Sequence, residues 1–221
     1  MNDDLRNTFK EISHYIHQEN SKYNLTGYKT AEEIYDNLFI SSIKPFISSQ
    51  NKTNVPRGTF FADIGTGAGI PGIPFSLLFP DSHGVLIDSN NKKISFINNV
   101  IHKFNLQNIS THVGRIEEIS NQFKENFDLV ISRALGNVYL VSELAIQLLK
   151  LGGYLYYFSK DTGESLTEKG LLHLETLGLE MVTPSELAIE NEGILLKKLN
   201  VTDSKYPRRY AVIKRESARL F

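Results

Sequence analysis

Three glycines at alternate positions, in Asp63-Ile64-Gly65-Thr66-Gly67-Ala68-Gly69, are the residues best suited to do chemistry in this chain. Glycine lets backbone amides approach a ligand closely, and a loop of this kind after a strand is where an open α/β sheet holds one. The same stretch satisfies G-x-G-x-x-G at Gly67, Gly69 and Gly72, so a nicotinamide dinucleotide has to be weighed. Two features point away from it. Asp63 is an acid inside the strand end, able to orient the loop and a ligand ammonium, and Pro71 and Pro74 remove amide donors that a pyrophosphate would use. A ligand without phosphate, S-adenosylmethionine in particular, suits the loop better.

Downstream acids complete the pattern. Asp88 closes the apolar run Leu86-Ile87-Asp88 at the distance where a carboxylate accepts ribose hydroxyls, its competing use being to cap the helix that follows. Glu117, in Gly114-Arg115-Ile116-Glu117-Glu118, falls where an adenine edge would lie, or is a surface acid. Ser132 and Arg133 end Asp128-Leu129-Val130-Ile131, and Arg133 is a cation for a carboxylate or a nucleotide's acceptor edge, against the alternative of a surface ion pair. No Asn/Asp-Pro-Pro-Tyr-type motif stands there, which argues against methylation of an exocyclic amine.

The elements that must position these residues are legible as periodicity. Leu5, Phe9, Ile12 and Ile16 mark a helix, Ala31–Ile43 a second, and Asn51–Gly58 a break, so residues 1–58 read as an N-terminal helical extension to a domain over 59–221. Strand and helix patterns then alternate: strand Thr59–Ile64, helix Gly72–Phe79, strand Gly84–Ile87, helix Lys92–Phe104, strands Ile109–Val113 and Phe127–Ser132, helix Val138–Leu149, strand Tyr154–Ser159. That order predicts a doubly wound parallel α/β sheet. Ser165-Leu166-Thr167-Glu168 is expected to be a capping box, and Leu179–Val182 with Tyr210–Ile213 an antiparallel closing pair.

Composition limits the chemistry further. The 221 residues contain no cysteine, excluding disulfides, thiolate metal sites and a cysteine nucleophile. Of the six histidines only His14 and His17 are spaced for a shared ligand, and both are expected on a helix surface, so no metal is expected. No basic, apolar leader or membrane-length run is seen, and a cytoplasmic protein is expected. The net charge of −1 divides into +5 over residues 205–219 and −6 elsewhere. That basic end is either a solvated edge or a nucleic-acid surface.

The glycine loop with its extension through Ile70-Pro71-Gly72-Ile73-Pro74, together with Ile87-Asp88-Ser89, Arg115–Glu118 and Ile131-Ser132-Arg133-Ala134, resembles the bacterial ribosomal RNA small-subunit methyltransferase G (glucose-inhibited division protein B) family. The resemblance implies a class I S-adenosylmethionine-dependent, Rossmann-like fold with a small N-terminal helical extension. It implies methylation of N7 of one guanine in the decoding-region loop of 16S ribosomal RNA, free or in the small subunit, and a monomer is expected. Cofactor contacts would be Gly65, Ile70, Ile116, Glu117 and Arg133, with Asp88 at the ribose, beside Asp63, Gly67 and Gly69 of the loop. Arg133 is also expected to serve catalysis and Arg115 and Lys160 to face RNA, and the basic charge of residues 205–219 adds Arg208 and Arg209 as RNA-facing candidates. This chain departs from the family pattern at Asn37–Ser42, where an Arg-His-x-x-Asp-Ser run is usual, and at Asp161, where glycine is.

Three rival readings remain from the residues alone: a methyltransferase for small molecules or proteins, an oxidoreductase, and an RNA-binding protein with a vestigial cofactor fold.

Overall fold

A computed structural model describes residues 1–47, 55–187 and 193–220. The sequence break read at Asn51–Gly58 thus lies partly outside the described residues. Seven strands form one sheet in the order β3-β2-β1-β4-β5-β7-β6. The first five, β1 (Phe60–Ile64), β2 (His83–Asp88), β3 (Ile109–Val113), β4 (Phe127–Arg133) and β5 (Leu149–Phe158), run parallel. The order reverses at β1, which pairs with β2 on one side and β4 on the other, opening a crevice beyond their carboxyl ends.

Helices cover both faces, as an apolar parallel sheet requires. On one face α1 (Asp3–Tyr23) starts at Asn2, whose side chain accepts from the Leu5 amide at 2.9 Å, and buries Phe9, Ile12 and Ile16. These join Phe61, Phe75 and Tyr156 in one core, and Phe46 lies 5.1 Å from Phe75 and 5.2 Å from Tyr156, ring centre to ring centre. Residues 1–47 therefore pack as part of the sheet's own core. His14 and His17 are exposed on α1.

The second helical stretch is not uniform. It opens as α2 (Ala31–Ile34) under a capping box of Thr30 and Glu33, widens to a π-type segment over Tyr35–Ile40, and continues through α3 (Ser41–Ile43) into a 3₁₀ turn, Lys44–Phe46. On the same face lie α4 (Gly72–Leu78) and α5 (Asn91–Lys103). α6 (Ile116–Ile119) follows β3, and α7 (Val138–Ala145), buried along its whole length, covers the other face.

Three expectations are corrected. The helix expected to reach Leu149 stops at Ala145, and β5 begins at Leu149; the buried Lys198 ammonium takes the Ile146 and Leu149 carbonyls at 3.0 and 2.9 Å, ending the helical hydrogen bonding. The cap of α8 (Glu168–Thr176) is Thr167, which accepts from the Gly170 amide at 3.1 Å, because the Ser165 hydroxyl is committed to Asp161. The partner of β6 (Leu179–Val182) is β7 (Gly193–Lys198), antiparallel to both β6 and β5, while Tyr210–Ser217 is a helix, α9. The run Ile194-Leu195-Leu196 is buried throughout, which fits a central strand; Ile213 and Ser217 instead recur at helical spacing and bury one face of α9.

Candidate cofactor site

The site begins with the end of β1. Gly65, Gly67 and Gly69 all take left-handed backbone, with φ of +70, +60 and +86°. At Gly65 a Cβ would also stand 2.6 Å from Leu135 Cδ1, so the position is closed to a side chain twice over. Asp63, fully buried, pins this loop: its Oδ2 accepts from the Gly72 amide at 2.7 Å and the Thr66 hydroxyl at 2.6 Å. Its Oδ1 is buried without a hydrogen-bond partner. Burial, opposed by those two hydrogen bonds, pushes the carboxyl from 3.8 up to about 7.

Asp88, at the end of β2, is half-exposed and braces two segments. Its Oδ2 accepts from the Gly67 amide at 3.0 Å and its Oδ1 from the Asn90 amide at 2.9 Å. The cap of α5 is Asn90, accepting from Lys92 at 2.9 Å, so capping is not what Asp88 does. Outside β1 and β2 the crevice opens into a cavity of about 310 Å³, lined by Gly65, Asp88, Arg115, Ile116 and Glu117 among others. That volume is at the lower end for a small-molecule site.

The sequence candidates thus divide. Gly65, Asp88, Ile116 and Glu117 share the cavity, joined by Arg115, which had been read as facing RNA. Asp63, Gly69 and Ile70 lie beneath it as buried supports, and Gly67 acts through its hydrogen bond to Asp88. Lys93, Leu135 and Tyr210 line it without having been anticipated. Lys160 is exposed beyond β5.

Arg133 occupies the mouth of β4 but turns toward the N-terminal helices. Its Nη1 donates to Ser41 Oγ at 2.8 Å and Ser42 Oγ at 3.0 Å, and its Nη2 to the Asn37 carbonyl at 2.7 Å. Burial lowers its pKa, with Tyr28 opposing. Ala134 follows with a φ of +59°, a costly conformation for a residue with a Cβ, and so aims the chain after β4 away from the strand line.

The basic tail is corrected in two respects. Arg208 is not a free cation: it forms a two-pronged pair with the buried Glu143, at 2.8 and 2.7 Å, and a further pair with Glu216. Arg209 is exposed, but it and Tyr210 border a second cavity of about 520 Å³ that shares Arg115, Glu117 and Tyr210 with the first. The tail therefore belongs to the surroundings of the cofactor cavity.

The residues present fit S-adenosylmethionine. The loop offers backbone without side chains, the cavity carries acceptors at Asp88 and Glu117 for ribose hydroxyls and an adenine amine, and Asp63 holds an unpartnered buried oxygen under the loop. Among the described residues no cluster of His, Asp or Glu is arranged to hold a metal, and no helix is long and apolar enough to cross a membrane.

Comparison with known proteins agrees with the geometry. In solved structures the fold is similar to a SAM-dependent methyltransferase from Aquifex aeolicus, with a TM-score of 0.52 and 16% identity over 76% of this chain and 98% of that one. It is similar to M. jannaschii TYW2 in complex with AdoMet, with a TM-score of 0.52 and 15% identity over 72% of each chain. Both likenesses speak for the class I methyltransferase fold. A ribosomal RNA small subunit methyltransferase G from Mycoplasma capricolum is 33% identical over 225 residues, 98% of this chain and 93% of the relative. One from Lachnoclostridium phytofermentans is 38% identical over 196 residues, 86% and 79% respectively. A family model described as rRNA small subunit methyltransferase G matches residues 6–182. On these matches the chain belongs to the rRNA small subunit methyltransferase G (GidB) family, whose members depend on S-adenosylmethionine.

Proposed function

We propose that this chain methylates N7 of a guanine in small-subunit ribosomal RNA, acting as a cytoplasmic monomer on 16S RNA free or within the subunit. The observation that carries this reading is the glycine loop with Asp88 and Glu117 around one cavity at the switch point of the sheet. When bound, S-adenosylmethionine supplies an electrophilic methyl group. Asp88 would accept from its ribose hydroxyls and Glu117 from its adenine amine, and the glycine loop would let the backbone approach.

Guanine N7 presents a lone pair on the major-groove edge, so no residue has to remove a proton first. The mouth of β4, formed by Ser132 and Arg133, matches that demand. Ser132 is buried with its hydroxyl donating to the Ile64 carbonyl at 3.1 Å, and Arg133 is a cation, so neither is a base. The chain's work is to align acceptor and methyl and to exclude water, which supplies roughly 7–11 kcal/mol in favourable cases. Arg133 is assigned to hold the N-terminal helices at this mouth through Ser41, Ser42 and Asn37, and Lys160 and Arg209 to face RNA phosphate, with Arg115 at the rim shared by the two cavities.

Methyl transfer to ribosomal RNA from cells lacking this protein, with mapping of the product, tests the proposal. One 7-methylguanosine is expected in the small-subunit RNA, and its loss in Asp88→Ala ties the activity to this cavity. Methylation of an exocyclic amine, or of no ribosomal RNA, overturns it.

A further inference from the structure

After β7 the chain runs back across α7, and it is held there more tightly than a surface tail would be. The Gln147 amide donates to the Asp203 carbonyl at 3.2 Å, and Asn137, which caps α7, donates to Ser217 Oγ at 3.2 Å. Between these lies Arg208. Its backbone amide and Nε donate to Glu143 Oε1 at 2.9 and 2.8 Å, and its Nη2 to Oε2 at 2.7 Å, while Nη1 bonds Glu216. Glu143 is fully buried within α7, where a carboxylate is tolerated only with partners of this kind.

A buried ion pair is weak evidence for stability, since apolar residues of the same shape do as well or better. What a two-pronged pair supplies is a fixed position. The residues next to Arg208 show what is positioned. Arg209 begins α9, and Tyr210, half-buried, lines both the 310 Å³ cavity and the adjoining one. It shares the lining of the first cavity with Asp88, and of both cavities with Arg115 and Glu117 from the segment after β3.

We infer that the Glu143–Arg208 pair is a positioning device that sets Tyr210 as a wall of the cofactor cavity on the side of the adenosine moiety. The inference rests on the reading that this cavity takes S-adenosylmethionine. Tyr210 contributes an aromatic surface to the purine half of the ligand, and Arg208 acts only through Tyr210.

Calorimetry on the full chain with adenosylhomocysteine and with 5′-methylthioadenosine, which keeps the adenosine but lacks the amino-acid end, tests this. Tyr210→Ala is expected to raise both dissociation constants by the same factor, about tenfold, while Tyr210→Phe stays near wild type. The double variant Glu143→Leu/Arg208→Leu, which leaves neither charge buried alone, is expected to weaken both ligands alike with cooperative melting retained. Adding Tyr210→Ala to it should cost nothing more, because both act through one contact. Unchanged constants in Tyr210→Ala, or a loss confined to adenosylhomocysteine, overturn the wall. A folded double variant that binds as wild type, or additive losses, overturn the positioning role. If wild type binds neither ligand, it is the cavity assignment underneath that fails.

Discussion

Two carboxylates, 25 positions apart, do different work because one is buried and one is not. Asp88 stays half in solvent and holds the amides of Gly67 and Asn90 while facing the cavity. Asp63 is sealed under the loop and its carboxyl rises to about 7. A carboxyl whose folded pKa is raised stabilises the fold most below its unfolded value of 3.8, and that contribution is lost as pH rises through about 7. Between pH 4 and 8 the wild type should lose at most about 4 kcal/mol relative to Asp63→Asn, whose amide oxygen can still accept from Gly72 and Thr66. Urea unfolding of both proteins at the two pH values reads the difference, and parallel profiles would refute it. The position of both acids was legible in the sequence, since each closes an apolar strand. The burial of Asp63 was not, because it depends on Gly72 approaching so closely that a Cβ there would lie 2.8 Å from its Oδ2.

Among the elements, the π-type segment Tyr35–Ile40 has an identifiable cause. In a regular α-helix the Ser41 amide would bond the Asn37 carbonyl; here it bonds Asp36 instead, and the Asn37 carbonyl accepts from Arg133 and the Ser41 hydroxyl. An arginine 96 residues away has taken a helix's own acceptor. The apolar stripe of this stretch was readable from Ala31, Ile34, Tyr35, Leu38 and Phe39, but its widening was not, since its cause lies at the end of β4. The same limit explains α9: Tyr210-Ala211-Val212-Ile213 is locally strand-like, and only its seat on α7 makes it helical. A lysine at 133 cannot serve two hydroxyls and a carbonyl as the planar fork does. Arg133→Lys should therefore speed amide exchange across residues 37–42 about 10- to 150-fold, the loss of one charge-assisted hydrogen bond, and lower turnover with it. Hydrogen-exchange mass spectrometry that finds no change over this segment would show that the guanidinium does not hold it.

Over the whole molecule, the +5 end remains the chain's one concentration of positive charge, but it is smaller as a docking surface than its composition suggests. Arg208 is consumed by Glu143 and Glu216, Arg215 leans on Glu216 at 3.4 Å and Lys205 on Asp203 at 3.3 Å, which leaves Arg209, bordering the second cavity, with Lys214 and Arg219 exposed. Replacing Arg209 and Lys214 with glutamine should flatten the dependence of RNA affinity on salt by about 1.4 units, given about 0.7 per phosphate contact on single strands. Equal slopes for variant and wild type would place RNA docking elsewhere. The wall at Tyr210 also carries a consequence for how the chain comes to be made. A polypeptide made from its N-terminal end has all seven strands of the described residues and most of the cavity lining before Tyr210 is added. Ligand binding, which stabilises a fold in proportion to its affinity, therefore gains its full weight only once the C-terminal segment has docked.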